Sequence, residues 1–257
     1  RRTDFAEPPE TSGIDLTEVL VEREPLTIVV TEKGWIRALK GHLQDLSSLQ
    51  FKGDDGLKIS FHSETTAKIL VMATDGKIYT LDASKLPGGR GFGDPIRLMA
   101  DMDESAEIVH VFAHKPGQKY LISSNIARGF ILSSDDMVAN TRKGRQVLNL
   151  DAGETAKLLV PVEGDMLAII GENRKLLIFA LDQIPEMTRG KGVRLQKYKN
   201  GQVIDAKTFV HKEGLTWLDT SGRTWTVPKS ELRDWIGNRA EAGRLPPKGF
   251  PKSSKFS

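Results

Sequence analysis

Arginine and lysine interleaved with glycine mark the stretches of this sequence best suited to chemistry. Asn140-Thr-Arg-Lys-Gly-Arg-Gln-Val-Leu148 carries Arg142, Lys143 and Arg145. Met187-Thr-Arg-Gly-Lys-Gly-Val-Arg-Leu195 carries Arg189, Lys191 and Arg194, with Lys197 and Lys199 just beyond. The ligand this pattern suits is phosphate: glycine permits close backbone approach, its N–H can point outward, and the cations supply charge. One such loop is usually solvated surface. Recurrence at one place in successive repeats changes the reading, because a repeated unit aligns its loops and several weak sites become a positive track. Weaker versions occur at Pro87-Gly-Gly-Arg-Gly-Phe-Gly-Asp-Pro95, with Arg90 before Asp94, at Phe51-Lys-Gly-Asp-Asp-Gly56, where Asp54 and Asp55 offset Lys52, and at Leu245-Pro-Pro-Lys-Gly-Phe250, with Lys248. The track is therefore expected to be uneven and strongest in the third and fourth repeats.

Other chemistries find little support. There are no cysteines, so thiolate metal sites and disulfides are excluded. His110 and His114 share a strand face without a third ligand, His42, His62 and His211 are scattered, and no metal site is expected. No carboxylate pair suggests acid–base work, no serine sits in G-x-S-x-G, and no G-x-x-x-x-G-K-[ST] loop is present. Trp35, Trp217, Trp225 and Trp235 are expected to pack the core rather than stack on bases. No catalytic residue is assigned.

The elements that must position the basic loops are hairpins. Ile69-Leu-Val-Met-Ala-Thr-Asp-Gly-Lys-Ile-Tyr-Thr-Leu81 puts Asp75-Gly76 between two apolar runs, where a primed turn needs the positive φ that glycine accepts. Similar phrases span 26–39, 120–132, 166–181 and 215–227, with turns assigned to Gly34, Gly129, Asn173-Arg174 and Gly222. The period is about 47 residues, within the roughly 40–50 of propeller blades. The runs Glu107–Phe112 and Lys157–Val162 are expected to complete their sheets. Short helical turns are expected at Asp82–Leu86, Leu181–Ile184 and Lys229–Ile236. The pattern predicts an all-β fold of five four-stranded blades.

Hydrophobic residues at 39% and charged residues at 28% are ordinary for a globular chain, and no apolar run approaches the length of a membrane-spanning helix. The net charge is only +3, but residues 1–24 hold seven acids against three arginines, leaving the rest at about +7. Residues 1–23 read as an acidic linker from a longer protein and 24–257 as the repeat domain.

The residues then show a resemblance. Five hairpins, each followed by a Gly-rich basic loop, resemble the C-terminal domain of the A subunits of the DNA gyrase and topoisomerase IV family. Glu24-Pro-Leu-Thr-Ile-Val-Val-Thr-Glu-Lys-Gly-Trp-Ile-Arg-Ala-Leu-Lys-Gly-His42 is similar to the first blade of the topoisomerase IV type, and Ser123-Ser-Asn-Ile-Ala-Arg-Gly-Phe130 to a middle hairpin of that family. The likeness runs from about Leu20 to the end. It implies a β-pinwheel, a propeller-like fold whose neighbouring blades exchange strands and around which duplex DNA bends. The parent enzyme would be an ATP-dependent type II topoisomerase of A2B2 form in the bacterial cytoplasm. Its magnesium, its ATP, its nucleophilic tyrosine and its ATPase subunit would all belong to other parts, leaving Tyr79, Tyr120 and Tyr198 without a catalytic role. Gyrases carry Q-R-R-G-G-K-G in the first blade. Here Gln50-Phe-Lys-Gly-Asp-Asp-Gly56 keeps the glycines and loses the cations, which favours decatenation and relaxation over supercoiling; a gyrase A subunit is the alternative. From other classes, a protein-interaction propeller would fit the modest charge, and a propeller enzyme would need a convergent polar set that the sequence lacks.

Overall fold

A residue with positive φ between two β-rich runs reverses the chain with the twist that antiparallel strands require. The computed structural model describes residues 21–257, and its strands follow this rule. In chain order they are β1 (Pro25–Thr31), β2 (Trp35–Lys40), β3 (Leu57–Glu64), β4 (Lys68–Ala73), β5 (Lys77–Asp82) and β6 (Asp94–Pro95). There follow β7 (Ile108–Ala113), β8 (Lys119–Ser124), β9 (Arg128–Ser133), β10 (Arg145–Gln146), β11 (Ala156–Pro161) and β12 (Met166–Gly171). The last are β13 (Leu176–Ala180), β14 (Val193–Arg194), β15 (Val203–Phe209), β16 (Leu215–Leu218) and β17 (Thr224–Val227). The acidic leader, up to residue 20, lies outside the described residues.

The chain divides into two compact units: one runs up to Lys68 and adds Asp82–Pro95, the other joins Ile69–Leu81 to Ile96–Ser257. The first unit contains one sheet, in the order β3-β1-β2-β6. The second contains the sheets β10-β5-β4-β7, β11-β8-β9-β14, β13-β12-β15 and β16-β17. The fold is all-β, and its helical turns are short 3-10 segments at Ala83–Lys85, Leu181–Gln183, Lys229–Glu231 and Arg233–Trp235, among others. The expected runs near 107–112 and 157–162 form β7 and β11, paired to β4 and β8 of their own hairpins.

One strand of each larger sheet comes from the next repeat. After β8 and β9, the chain returns to set Arg145 opposite Ile78 on β5 before coming back as β11. After β12 and β13 it likewise sets Val193 opposite Gly129 on β9. The last two sheets depart from the four-stranded expectation. Arg244 joins β13 only through an isolated bridge to Leu176, and β16 gains a hydrogen bond from Leu218 N–H to the Phe256 carbonyl (2.9 Å) in place of a further strand.

In the second unit the cores lie between successive sheets. Tyr120 and Ile122 of β8 join Leu70, Met72 and Ile78 in one cluster, whereas Leu121 between them joins Leu167, Ile169, Leu177 and Phe179 in another. Ala168 and Ile170 pack the other way, with Leu215 and Trp217. Alternate side chains thus bury both faces, which is why these strands read as continuous apolar runs. Trp217 is fully buried, with Phe250 edge-on at 5.2 Å, and fills the core as expected. Trp225 and Trp235 are only partly buried against the same cluster.

The third turn differs from the sequence expectation. Gly129 lies inside β9, and Ala127 takes the positive φ of 58°. It corresponds to Gly34, Gly76, Arg174 and Gly222, all of positive φ. Gly129 is needed for close packing instead, since a Cβ there would stand 1.9 Å from the Ile122 carbonyl oxygen.

Candidate nucleic-acid interface

The exchanged strands decide where the basic loops lie. A glycine of positive φ precedes each one in the second unit: Gly144 before β10, Gly192 before β14 and Gly243 before Arg244. A Cβ on Gly192 would meet the Gly129 carbonyl oxygen at 2.0 Å, and one on Gly243 the Leu176 carbonyl oxygen at 2.5 Å. On Gly144 it would meet the Tyr79 ring at 2.7 Å. These glycines press the loop onto the preceding hairpin. Amides of these loops are also engaged: Gly144 N–H donates to the Thr141 carbonyl and Gly190 N–H to the Val147 carbonyl, each at 3.1 Å. Side chains, rather than these amides, are left to meet a ligand.

Each basic loop is then hydrogen-bonded to the segment just past the preceding exchanged strand. Asp101 N–H donates to the Arg142 carbonyl (2.8 Å), and the Arg142 guanidinium reaches the Leu98 carbonyl (2.7 Å) and the Asp101 carboxylate (3.4 Å). At the second junction Asn149 N–H donates to the Gly190 carbonyl (2.8 Å) and Arg189 Nε to Asn149 Oδ1 (3.4 Å). At the third, Lys197 N–H donates to the Glu241 carbonyl (3.0 Å) and the Arg239 guanidinium to the Arg194 carbonyl (2.9 Å). The loops around 142–149, 187–197 and 237–244 therefore form a connected series. Arg142, Lys143, Arg145, Arg189, Lys191, Arg194, Lys197 and Lys199 are all exposed along it.

Two of the cations are paired with acids. Lys191 Nζ binds one oxygen of Asp151, and Arg128 binds the other at 2.7 Å while also contacting Glu154. The hydrogen bond from Lys191, then that from Arg128, holds the Asp151 carboxyl below the usual carboxylate range. Arg142 is the other paired cation, through Asp101. Among the described residues, Lys143, Arg145, Arg194, Lys197 and Lys199 form no ion pair.

Lys248 is exposed but belongs elsewhere, in a turn whose Gly249 packs on Trp225. The structural counterpart of the two richest loops is 237–244, not 245–250. Sequence reasoning thus missed Arg128, Arg239 and Arg244. The Gly-Arg dipeptide at 144–145 recurs at 243–244, but also at 89–90 and 222–223, so it marks the loop only weakly.

In the first unit Arg90 is exposed in its Gly-rich loop. The buried Arg37 guanidinium ties that loop to the earlier one between β2 and β3, binding the Gly91 carbonyl and donating to the Gln50 carbonyl at 2.9 Å. Lys33 pairs with Asp54, and Lys52 lies over the Trp35 ring at 4.7 Å. Lys33, Arg37 and Lys52 are thus occupied by local structure.

The remaining candidate groups are accounted for by packing. Burial pushes the Tyr79 phenol up to about 12 and raises Tyr120 and Tyr198 as well, the direction opposite to an activated nucleophile. His114 lies 3.3 Å from Asp135, and His42 stacks on His62 with centroids 4.5 Å apart. Among the described residues no three His, Cys, Asp or Glu side chains gather as metal ligands, and no helix is long and apolar enough to cross a membrane.

Hairpin sheets that trade strands define a propeller-like β-pinwheel. Residues 165–207 match the family model described as the DNA gyrase C-terminal domain, beta-propeller. The topoisomerase 4 A subunit of Caulobacter vibrioides is 42% identical over 257 residues, covering 99% of this chain and 33% of that protein. That of Rickettsia bellii is 39% identical, covering 100% and 34%. The solved structure of the E. coli ParC C-terminal domain superposes with a TM-score of 0.77 at 25% identity, covering 89% of this chain and 96% of that one. The chain belongs to the family of C-terminal domains of DNA topoisomerase IV A subunits. It spans about a third of the length of the curated relatives it matches.

Proposed function

We propose that this chain binds duplex DNA without sequence readout and bends it along the linked basic loops. The observation that carries the reading is their continuity: three successive loops, each hydrogen-bonded to the next, present exposed cations from Arg142 to Lys199. Such a series suits the phosphate backbone, which rewards charge and spacing and is indifferent to base identity. Arg142, Lys143, Arg145, Arg189, Lys191, Arg194, Lys197 and Lys199 are the proposed contacts, joined by Arg239 and Arg244, with Arg90 and Lys248 assisting from outside the series. Residues 24–257 are read as the DNA-binding domain of five repeats and 1–23 as the linker to the cleavage core.

In the whole protein the domain would present DNA to an ATP-dependent double-strand passage machine that decatenates and relaxes. The cleavage core and the ATPase subunit would be its partners in an A2B2 enzyme of the bacterial cytoplasm, and magnesium and ATP would bind there. The test is binding of this chain to a short random-sequence duplex across a salt series. The expected result is tight, sequence-indifferent binding at low salt that falls steeply as salt rises. No binding at low salt would refute the reading.

A further inference from the structure

We propose that Asp101 and Asp151 are built-in competitors of DNA phosphate, each holding a cation of the following basic loop and thereby grading affinity along the series. This rests on the DNA-binding reading above. The two acids occupy matching places, a few residues past an exchanged strand at consecutive junctions. Asp101 lies beside Arg142 at 3.4 Å, and Asp151 bridges Lys191 and Arg128. Both carboxylates are about half exposed, as are their lysine and arginine partners apart from the more sheltered Arg128. They therefore stand where an incoming phosphate would stand, and with a similar set of oxygens.

The third junction lacks the device. The corresponding stretch past β14 reads Lys197-Tyr198-Lys199-Asn200, so the place of the acid is taken by lysine and asparagine. Cations at the first two junctions are thus partly satisfied from within, whereas those at the third form no ion pair among the described residues, the Arg239 guanidinium donating only to the Arg194 carbonyl. Exposed ion pairs are weak, so phosphate displaces them rather than being shut out. What they subtract is the net gain per contact. The proposal reverses the simple expectation from counting cations: the loop richest in sequence, around Lys191, is muted, and the series is strongest at Arg194, Lys197, Lys199 and Arg239.

The experiment compares four variants of the 257-residue chain with the wild type on one random-sequence duplex over a salt series. Asp151→Asn and Asp101→Asn each release a clamp, and Asn200→Asp installs one. Asp182→Asn removes the same charge from an exposed acid that forms no ion pair among the described residues. Each release should tighten binding roughly three- to tenfold near 0.1 M salt and steepen the log–log salt slope by about 0.9, the increment for one more neutralised phosphate. Asn200→Asp should weaken binding by a similar factor, and Asp182→Asn should move it much less.

Failure to bind by the wild type at low salt would overturn the DNA reading and this proposal with it. A wild type that binds, with Asp151→Asn and Asp101→Asn no tighter than Asp182→Asn, would overturn the proposal alone. Should Asp151→Asn not fold, because Arg128, held between Asp151 and Glu154, loses one of its two acids, Asp101→Asn and Asn200→Asp decide the question on exposed sites. Amine acylation of Lys191 gives a reading without DNA: it should be faster in Asp151→Asn, and an equal rate would count against the clamp.

Discussion

Replacing Gly192 with alanine tests whether the glycines of the basic loops serve strand exchange. Gly192 has φ of 75°, and a Cβ would stand 2.0 Å from the carbonyl oxygen of Gly129 and 2.3 Å from its carbonyl carbon. The obstacle is backbone within β9, which cannot swing aside as a flexible side chain could. The left-handed conformation costs a non-glycine residue about 1–2 kcal/mol. Forcing the methyl into filled space adds roughly 1–3 kcal/mol. A loss of about 2–5 kcal/mol should lower the melting temperature by roughly 5–15 °C in a domain of this size. Gly153 supplies the control, since it has φ of 82° and nothing within 4 Å of its would-be Cβ. Gly153→Ala should cost only the conformational part, about 1–2 kcal/mol. Thermal unfolding followed by circular dichroism reads both. Equal shifts for the two variants would refute the claim that contact with β9 is what Gly192 provides. The same variant should also weaken duplex binding, because Arg194 is carried on the strand that Gly192 seats.

Other expectations follow from the same geometry. Reversing the charges of Arg189, Lys191 and Arg194 should weaken duplex binding more than reversing Lys52 and Lys58, and equal effects would remove the unevenness of the series. Arg239→Ala should reduce affinity about equally for all sequences and flatten the salt slope by about 1, as loss of one phosphate contact requires; a sequence-dependent loss would contradict this. Asp205 is mostly buried, and burial raises its pKa although Phe256 N–H donates to it at 2.9 Å. A carboxyl raised in the folded state is penalised once it ionises, so wild-type stability relative to Asp205→Asn should fall as pH rises from about 4 through the raised value, then level off. Paired denaturant titrations across that range check the sign, and a wild type that loses stability relative to Asp205→Asn toward acid would be the wrong result.

Local chemistry made the hairpins legible, because positive φ at Gly34, Gly76 and Gly222 leaves a residue-level mark between apolar runs. Ala127 left none: an alanine in the left-handed region is written in the same letter as any other, and nearby Gly129 drew the turn two residues too far. The basic loops were visible from their composition, but their placement was not. Strand exchange pairs Arg145 with Ile78 and Arg194 with Arg128, contacts set by tertiary packing across dozens of residues rather than by period or propensity. The loop at 237–244 escaped notice because its cations, Arg239 and Arg244, are separated by Ala-Glu-Ala-Gly and look like ordinary surface. The pairing of Asp151 with Lys191 crosses 40 positions and likewise has no local signature.

The borrowed strands have a consequence during synthesis. When β4 and β5 leave the ribosome, the edge of β5 has no partner until Arg145 and Gln146 arrive, after a whole further hairpin has been made. The same wait recurs for β9, which is completed only by Val193 and Arg194. An open edge is a template for pairing with another chain. Through these hairpins the nascent protein therefore advances with one unfinished sheet behind its newest hairpin. The residues that finish each edge come from the basic loops themselves, so the charge that suits the mature chain to phosphate also keeps the late-arriving strand soluble while its place stands open.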